Sequence, residues 1–243
     1  MFSASICRVA GAGLHPVSPE RGSIEAVLFD LDDTLIDRAA GFRRFCVDLY
    51  RSSTAMQRVS NESEAVERII ELDRSGMSDR HELFTEVLSI WPGTFRDIDH
   101  AVEFYLETYP RLHSLAGETR QLLSDLRSRG IPFGVVTNGG SEMQWAKGRA
   151  SGAGGFTDAV VVSGDLGIHK PDPRIFESAL SKIDSKADTT LFVGDNPEAD
   201  IAGASGVGMR TAWMRLGRRW ALDNLCPDYV LDRVSEVRGI VLG

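Results

Sequence analysis

Val27-Leu28-Phe29-Asp30-Leu31-Asp32-Asp33-Thr34-Leu35 is an apolar run that ends abruptly in three carboxylates and a threonine. A buried strand reads this way when it delivers acidic side chains to the rim of a sheet, where a cation or reacting group can meet them. Carboxylates this close repel one another, and each makes the next harder to ionise. A positive partner is therefore expected among them, most simply a divalent metal ion.

Working outward, this first run begins at Ile24, and similar apolar, β-branched runs recur at Ile131 to Val136, Ala159 to Val162, Thr189 to Val193 and Arg210 to Met214. Gly, Pro, Asp or Ser flank each of them. Helical patterns lie between the later runs, first Leu122, Leu123 and Leu126, then Ile175, Phe176 and Leu180. Such alternation predicts parallel βαβ units, whose ligands bind beyond the carboxyl ends of the strands.

One interruption, residues 37–114, far exceeds the usual crossover length. It has helical periodicity of its own: Phe42, Phe45 and Leu49; Val66, Ile69 and Ile70; Leu83, Phe84, Val87 and Leu88; Val102, Phe104, Tyr105 and Leu106. The stretch reads as a helical insert covering the carboxyl end of the sheet, with Leu115-Ala116-Gly117 as the return hinge. Residues 1–22 read as a flexible extension without a signal-peptide pattern, and residues 23–36 with 115–243 as the core domain.

Composition narrows the function classes. The 243 residues are 42% hydrophobic and 26% charged, ordinary for a globular protein, and the formal net charge of -8 argues against a nucleic-acid or anionic-membrane partner. No apolar stretch approaches a membrane span. Cys7, Cys46 and Cys226 are odd in number and outside any CxxC pattern, so they read as isolated thiols in a reducing, cytoplasmic compartment.

Each predicted strand end presents a different polar group. The first offers Asp30 and Asp32, and the second, Val135-Val136-Thr137-Asn138-Gly139-Gly140, a hydroxyl and exposed backbone amides. After the third comes Gly167-Ile168-His169-Lys170-Pro171-Asp172-Pro173; the fourth, Leu191-Phe192-Val193-Gly194-Asp195-Asn196-Pro197-Glu198-Ala199-Asp200, adds two carboxylates. Together these groups could hold a phosphate beside Mg²⁺, an ion suited to an all-oxygen site with few protein ligands. Asp30 could attack phosphorus in line, while Asp32, on the same side of an extended segment, delivers a proton to the leaving oxygen.

Asp30-x-Asp32-x-Thr34, Thr137, Lys170-Pro171, and Gly194-Asp195 with Asp200 together resemble the four motifs of the haloacid dehalogenase-like (HAD) hydrolase superfamily, from Ile24 to about Tyr229. The place of the insert resembles its helical-cap (C1, subfamily I) phosphatases. The resemblance implies an α/β fold: a three-layer, Rossmann-like, doubly wound parallel sheet with an α-helical cap domain over residues 37–114. It further implies a Mg²⁺-dependent phosphatase acting on a small phosphorylated metabolite; monomer and homodimer both stay open. Asp30 would be nucleophile and metal ligand, and Asp32 acid and base, its backbone carbonyl also on the metal. Thr137 and the Asn138 amide would bind phosphoryl oxygens, Lys170 would neutralise charge, and Asp195 and Asp200 would complete the metal site.

Several alternatives share these motifs or parts of them. A phosphomutase would use the same core and return the phosphoryl group to a sugar. Haloacid dehalogenases need no leaving-group acid and lack an aspartate at the position of Asp32. A non-enzymatic phospho-acceptor would be shorter, without the large insert. An EF-hand reading fails because Leu35 stands where glycine is needed and Gly41 where the closing glutamate belongs. Asp33 is expected to shape the turn and His169 to be solvated. Ser151-Gly152-Ala153-Gly154-Gly155 is expected to be an ordinary loop. Arg74 and Arg80, which flank Ser75-Gly76-Met77-Ser78, are candidate substrate contacts.

Overall fold

Six parallel strands form one sheet in the order β3-β2-β1-β4-β5-β6: β1 (Ala26–Phe29), β2 (Phe133–Thr137), β3 (Val160–Val162), β4 (Thr190–Gly194), β5 (Arg210–Met214) and β6 (Tyr229–Leu231). β1 lies at the centre, with Val27 opposite Phe133 of β2 on one side and Leu191 of β4 on the other. The computed structural model describes residues 23–157 and 159–243, and they divide into two compact units, Asp37–Ser114 and the remainder. The amino-terminal extension, including Cys7, lies outside the described residues.

The unit Asp37–Ser114 is helical: α1 (Arg38–Ser52), α2 (Thr54–Val59), α3 (Glu62–Asp73), α4 (Arg80–Ile90) and α5 (Ile98–Thr108). Polar side chains start these helices by accepting otherwise unpaired amides, as Asp37 does from Ala40 and as Asn61 does with Glu64 in a reciprocal capping box. The apolar stripe of each then buries against its neighbours. Phe45 meets Tyr105 edge-on at 5.2 Å, and Tyr105 stacks on Tyr109 at 4.7 Å.

Around the sheet, α6 (Gly117–Ser128), α7 (Ser141–Ser151), the single turn α8 (Ser163–Leu166), α9 (Pro173–Lys182), α10 (Gly203–Gly206) and α11 (Val237–Val241) complete three layers. Alternate strand residues separate cleanly. Val27, Phe29, Leu191 and Val193 pack with Leu122 and Leu126 of α6 and Val237 of α11, while Ala26, Leu28 and Phe192 pack with Ile175 and Phe176 of α9. Burial on both faces is why these strands read as continuous apolar runs.

The structure adds two elements that the sequence pattern did not reveal. β6 is only three residues long and follows an irregular segment, and α7 carries few apolar residues. Cys46 is free and buried in α1. Among the described residues, no helix is long and apolar enough to cross a membrane.

Candidate active site

The strand order reverses between β1 and β4, which makes their carboxyl ends the crevice of a doubly wound sheet. Asp30 follows β1 there, tied down by its amide donating to the Val193 carbonyl at 2.8 Å. Asp195 follows β4, and Thr137 closes β2. Asp33 takes a left-handed conformation (φ 58°), which aspartate tolerates better than most residues, and its amide donates to the Ile36 carbonyl at 2.7 Å. The chain therefore turns straight after the acidic run.

Lys170 is the hub of the deepest cluster. Its ammonium donates to Asp30 Oδ1 at 2.5 Å and to the Val136 carbonyl at 2.9 Å, and pairs with Asp200 Oδ1 at 2.7 Å. Burial alone would lower its proton affinity, but Asp200 and Asp30 outweigh that and hold Lys170 above the ordinary lysine range. The Asn138 side chain fixes the lysine's backbone from both sides: its amide donates to Lys170 O at 3.0 Å and its oxygen accepts from Lys170 N at 2.9 Å. Resemblance implied a role only for the Asn138 backbone amide.

Asp200 reaches this hub through an irregular segment. Asn196 caps Pro197–Ala202, a wide π-type turn, and the Asp200 carboxylate folds back to accept from the Asn196 amide at 2.9 Å. A Cβ on Gly194 would lie 2.4 Å from Asp200 Oδ2, so only glycine leaves room for this fold-back.

Asp30, Asp195 and Asp200 each offer a carboxylate oxygen within 4.8 Å of the others. Burial pushes Asp30 well above the usual carboxylate range, Asp200 and Asp195 add to this, and Lys170 opposes it. Burial, helped by Asp200, raises Asp195 to about 6, although Arg218 donates to its Oδ2 at 2.9 Å. Three carboxylates this close together need more positive charge than the nearby lysine and arginine provide. An all-oxygen donor set of this kind fits a hard divalent cation.

Asp32 faces elsewhere. Lys147 Nζ donates to both of its oxygens, at 2.8 and 2.9 Å, and Gln144 Nε2 to Oδ2 at 2.9 Å. The same Gln144 nitrogen lies 2.5 Å from Thr137 Oγ1 and 3.1 Å from the Asn138 carbonyl. Both residues sit on α7, and sequence reasoning missed them because that helix lacks an apolar period. The signal present was spacing alone: Gln144 and Lys147, three apart, share one helix face.

Arg74 and Arg80 belong to the helical unit. Arg80 pairs with buried Asp73 at 2.8 Å, donates to the Ser78 carbonyl at 2.7 Å and lies over the Tyr105 ring at 5.2 Å. Arg38 also pairs with Asp73, at 2.5 Å. Arg74 is exposed and left-handed (φ 50°), as is Ser75 (φ 57°). His169 is exposed, and residues 153–155 form a short turn between α7 and β3.

Comparison with known proteins places this geometry in a family. Residues 24–208 match the model of haloacid dehalogenase-like hydrolases. Phosphoserine phosphatase from Thermus thermophilus is 30% identical over 250 residues, covering 90% of this chain and 98% of that protein. Glyceraldehyde 3-phosphate phosphatase from Methanopyrus kandleri is 29% identical, covering 90% and 97% respectively. Among solved structures, the HAD hydrolase YfnB from Bacillus subtilis, crystallised with magnesium, superposes with a TM-score of 0.68 at 26% identity, over 90% of this chain and 99% of that one. Matched over most of its length and carrying the four strand-end motifs, this chain belongs to the haloacid dehalogenase-like hydrolase family.

Proposed function

We propose that this chain is a Mg²⁺-dependent phosphatase that removes phosphate from a small phosphorylated metabolite through an aspartyl phosphate on Asp30. The observation that carries the reading is the convergence of buried Asp30, Lys170 and Asp200 with half-buried Asp195 at the switch point of the sheet. Names of the similar phosphatases support a small-metabolite substrate. A cytoplasmic location suits such a substrate, because charged phosphates stay in the compartment where they are made.

Asp30 attacks phosphorus as the P–O bond to the leaving group breaks, and Asp32 protonates the departing oxygen. Asp32 then takes a proton from water, which attacks the aspartyl phosphate; cleavage of the P–O bond to Asp30 restores the carboxylate. Thr137 and the Asn138 amide bind phosphoryl oxygens, and Lys170 offsets their charge. Asp30, Asp195, Asp200 and the Asp32 backbone carbonyl would hold Mg²⁺, which supplies electrostatic stabilisation of the transferring phosphoryl group when bound. A carboxylate at position 32 separates this chemistry from carbon–halogen cleavage, since a halide departs without a proton.

The test is a screen of the purified chain against a broad panel of phosphorylated metabolites with Mg²⁺ and, in parallel, with EDTA. Phosphate release that EDTA abolishes is the expected result. A folded protein that releases none from any member overturns the proposal, and accumulation of a bisphosphorylated product in place of free phosphate would assign a phosphomutase.

A further inference from the structure

We propose that Lys147, acting with Gln144, is a positioning residue that fixes the Asp32 carboxylate for proton transfer to the leaving group. This rests on the phosphatase reading above and adds to it the part of the fold that sets the acid–base residue. Lys147 contacts both Asp32 oxygens, with its own side chain only 5% exposed. Burying an ammonium is expensive unless it is paired, so a lysine on the inner face of α7 is tolerated because Asp32 receives it.

Two-point contact does more than balance charge. One bond to one oxygen would leave the carboxylate free to rotate, whereas contacts to both oxygens, with Gln144 on Oδ2, define its plane. Gln144 also approaches Thr137 Oγ1, so one helix sets the acid–base residue and a phosphate ligand in a fixed relation. Lys147 touches no reacting atom in this scheme and works through Asp32.

A positioning role makes a prediction that a merely structural role does not. Leaving groups differ in how much they need a proton: p-nitrophenolate departs with little help, phenolate needs more. kcat/KM across a series of aryl phosphates reports the steps up to leaving-group departure and excludes later hydrolysis of the aspartyl phosphate. In the full chain with Mg²⁺, Lys147→Met should lower kcat/KM about 30-fold for phenyl phosphate, within the range of general acid catalysis, and by less than about 3-fold for p-nitrophenyl phosphate. Lys147→Arg can still offer two N–H groups to the carboxylate and should recover most of the loss. If K147M does not fold, Gln144→Met, which leaves the charge pair intact, should show the same selective loss to a smaller degree.

Equal losses for both substrates, or no loss, overturn the proposal. Wild-type protein inert towards every aryl phosphate and every metabolite of the panel refutes the phosphatase reading instead. Positioning is then judged from crystal structures of wild type and K147M, or of Q144M where K147M does not fold: an Asp32 carboxylate rotated away in the variant supports it, and an unmoved one overturns it.

Discussion

Asp30 and Asp32 stand two residues apart on one segment, yet each is held by its own lysine, and the two pairs are built differently. Lys170 comes from a loop, lies deep in the crevice and shares itself between Asp30 and Asp200. Lys147 comes from the middle of a helix and grips both oxygens of Asp32, whose side chain is 21% exposed. The first arrangement pools charge among several carboxylates; the second orients a single one. The nucleophile and metal ligand proposed at position 30 would need the former, and the proton donor proposed at position 32 the latter.

Asp30→Asn should abolish turnover, by about 10⁴-fold or more, with the thermal melt unchanged within a few degrees, because the amide keeps the shape and removes the proposed nucleophile. Retained activity would place the nucleophile elsewhere.

Removing each lysine sharpens the contrast in stability. Lys170→Met strands Asp30 and Asp200, both deeply buried, and should cost about 3–5 kcal/mol in urea unfolding. Lys147→Met removes one cation from a carboxylate that reaches solvent and keeps its Gln144 contact, and about 1–2 kcal/mol is expected. Equal losses would mean that the two pairs do not differ as described.

Acid behaviour separates them further. Asp195 is raised to about 6 from an unfolded value of 3.8, so the folded, metal-free chain binds a proton there more tightly than the unfolded chain does. That contribution to stability is fully present below 3.8 and is lost as the pH rises through about 6. Asp30 shifts in the same direction. At the proposed metal site a divalent cation would replace those protons, so the rise in melting temperature on adding Mg²⁺ should be larger at pH 7.5 than at pH 5. A shift independent of pH would remove these carboxylates from the metal site.

The smallest effect concerns Arg218, whose guanidinium donates to Asp195 Oδ2 at 2.9 Å and to the Asp195 carbonyl at 2.8 Å while its side chain is largely open to solvent. Arg218→Ala removes a competing positive charge. Mg²⁺ should bind about threefold more tightly by calorimetry, a modest change because solvent screens the pair.

Much of this site was legible in the sequence. Asp30, Lys170, Asp195 and Asp200 stand beside short apolar runs or in Gly- and Pro-marked loops, and such local chemistry keeps its meaning wherever the strands end up. The Lys147 and Gln144 contacts were not legible, since Ser141–Ser151 has almost no apolar period and its buried residues, Gln144, Lys147 and Ser151, are all polar. The engagement of Arg80 with Asp73 was hidden for a related reason: a charged residue on a helix usually faces solvent.

By itself, the sequence determined the alternation of strand and helix, the helical insert and the carboxylates that crowd one strand end. These follow from side-chain period, turn propensity and charge, which act over a few residues. Only the tertiary structure decided which cation each carboxylate meets. Partners more than a hundred residues away are chosen by strand order and by the face a helix buries, and a polar helix face carries no local mark of what the sheet will bring against it.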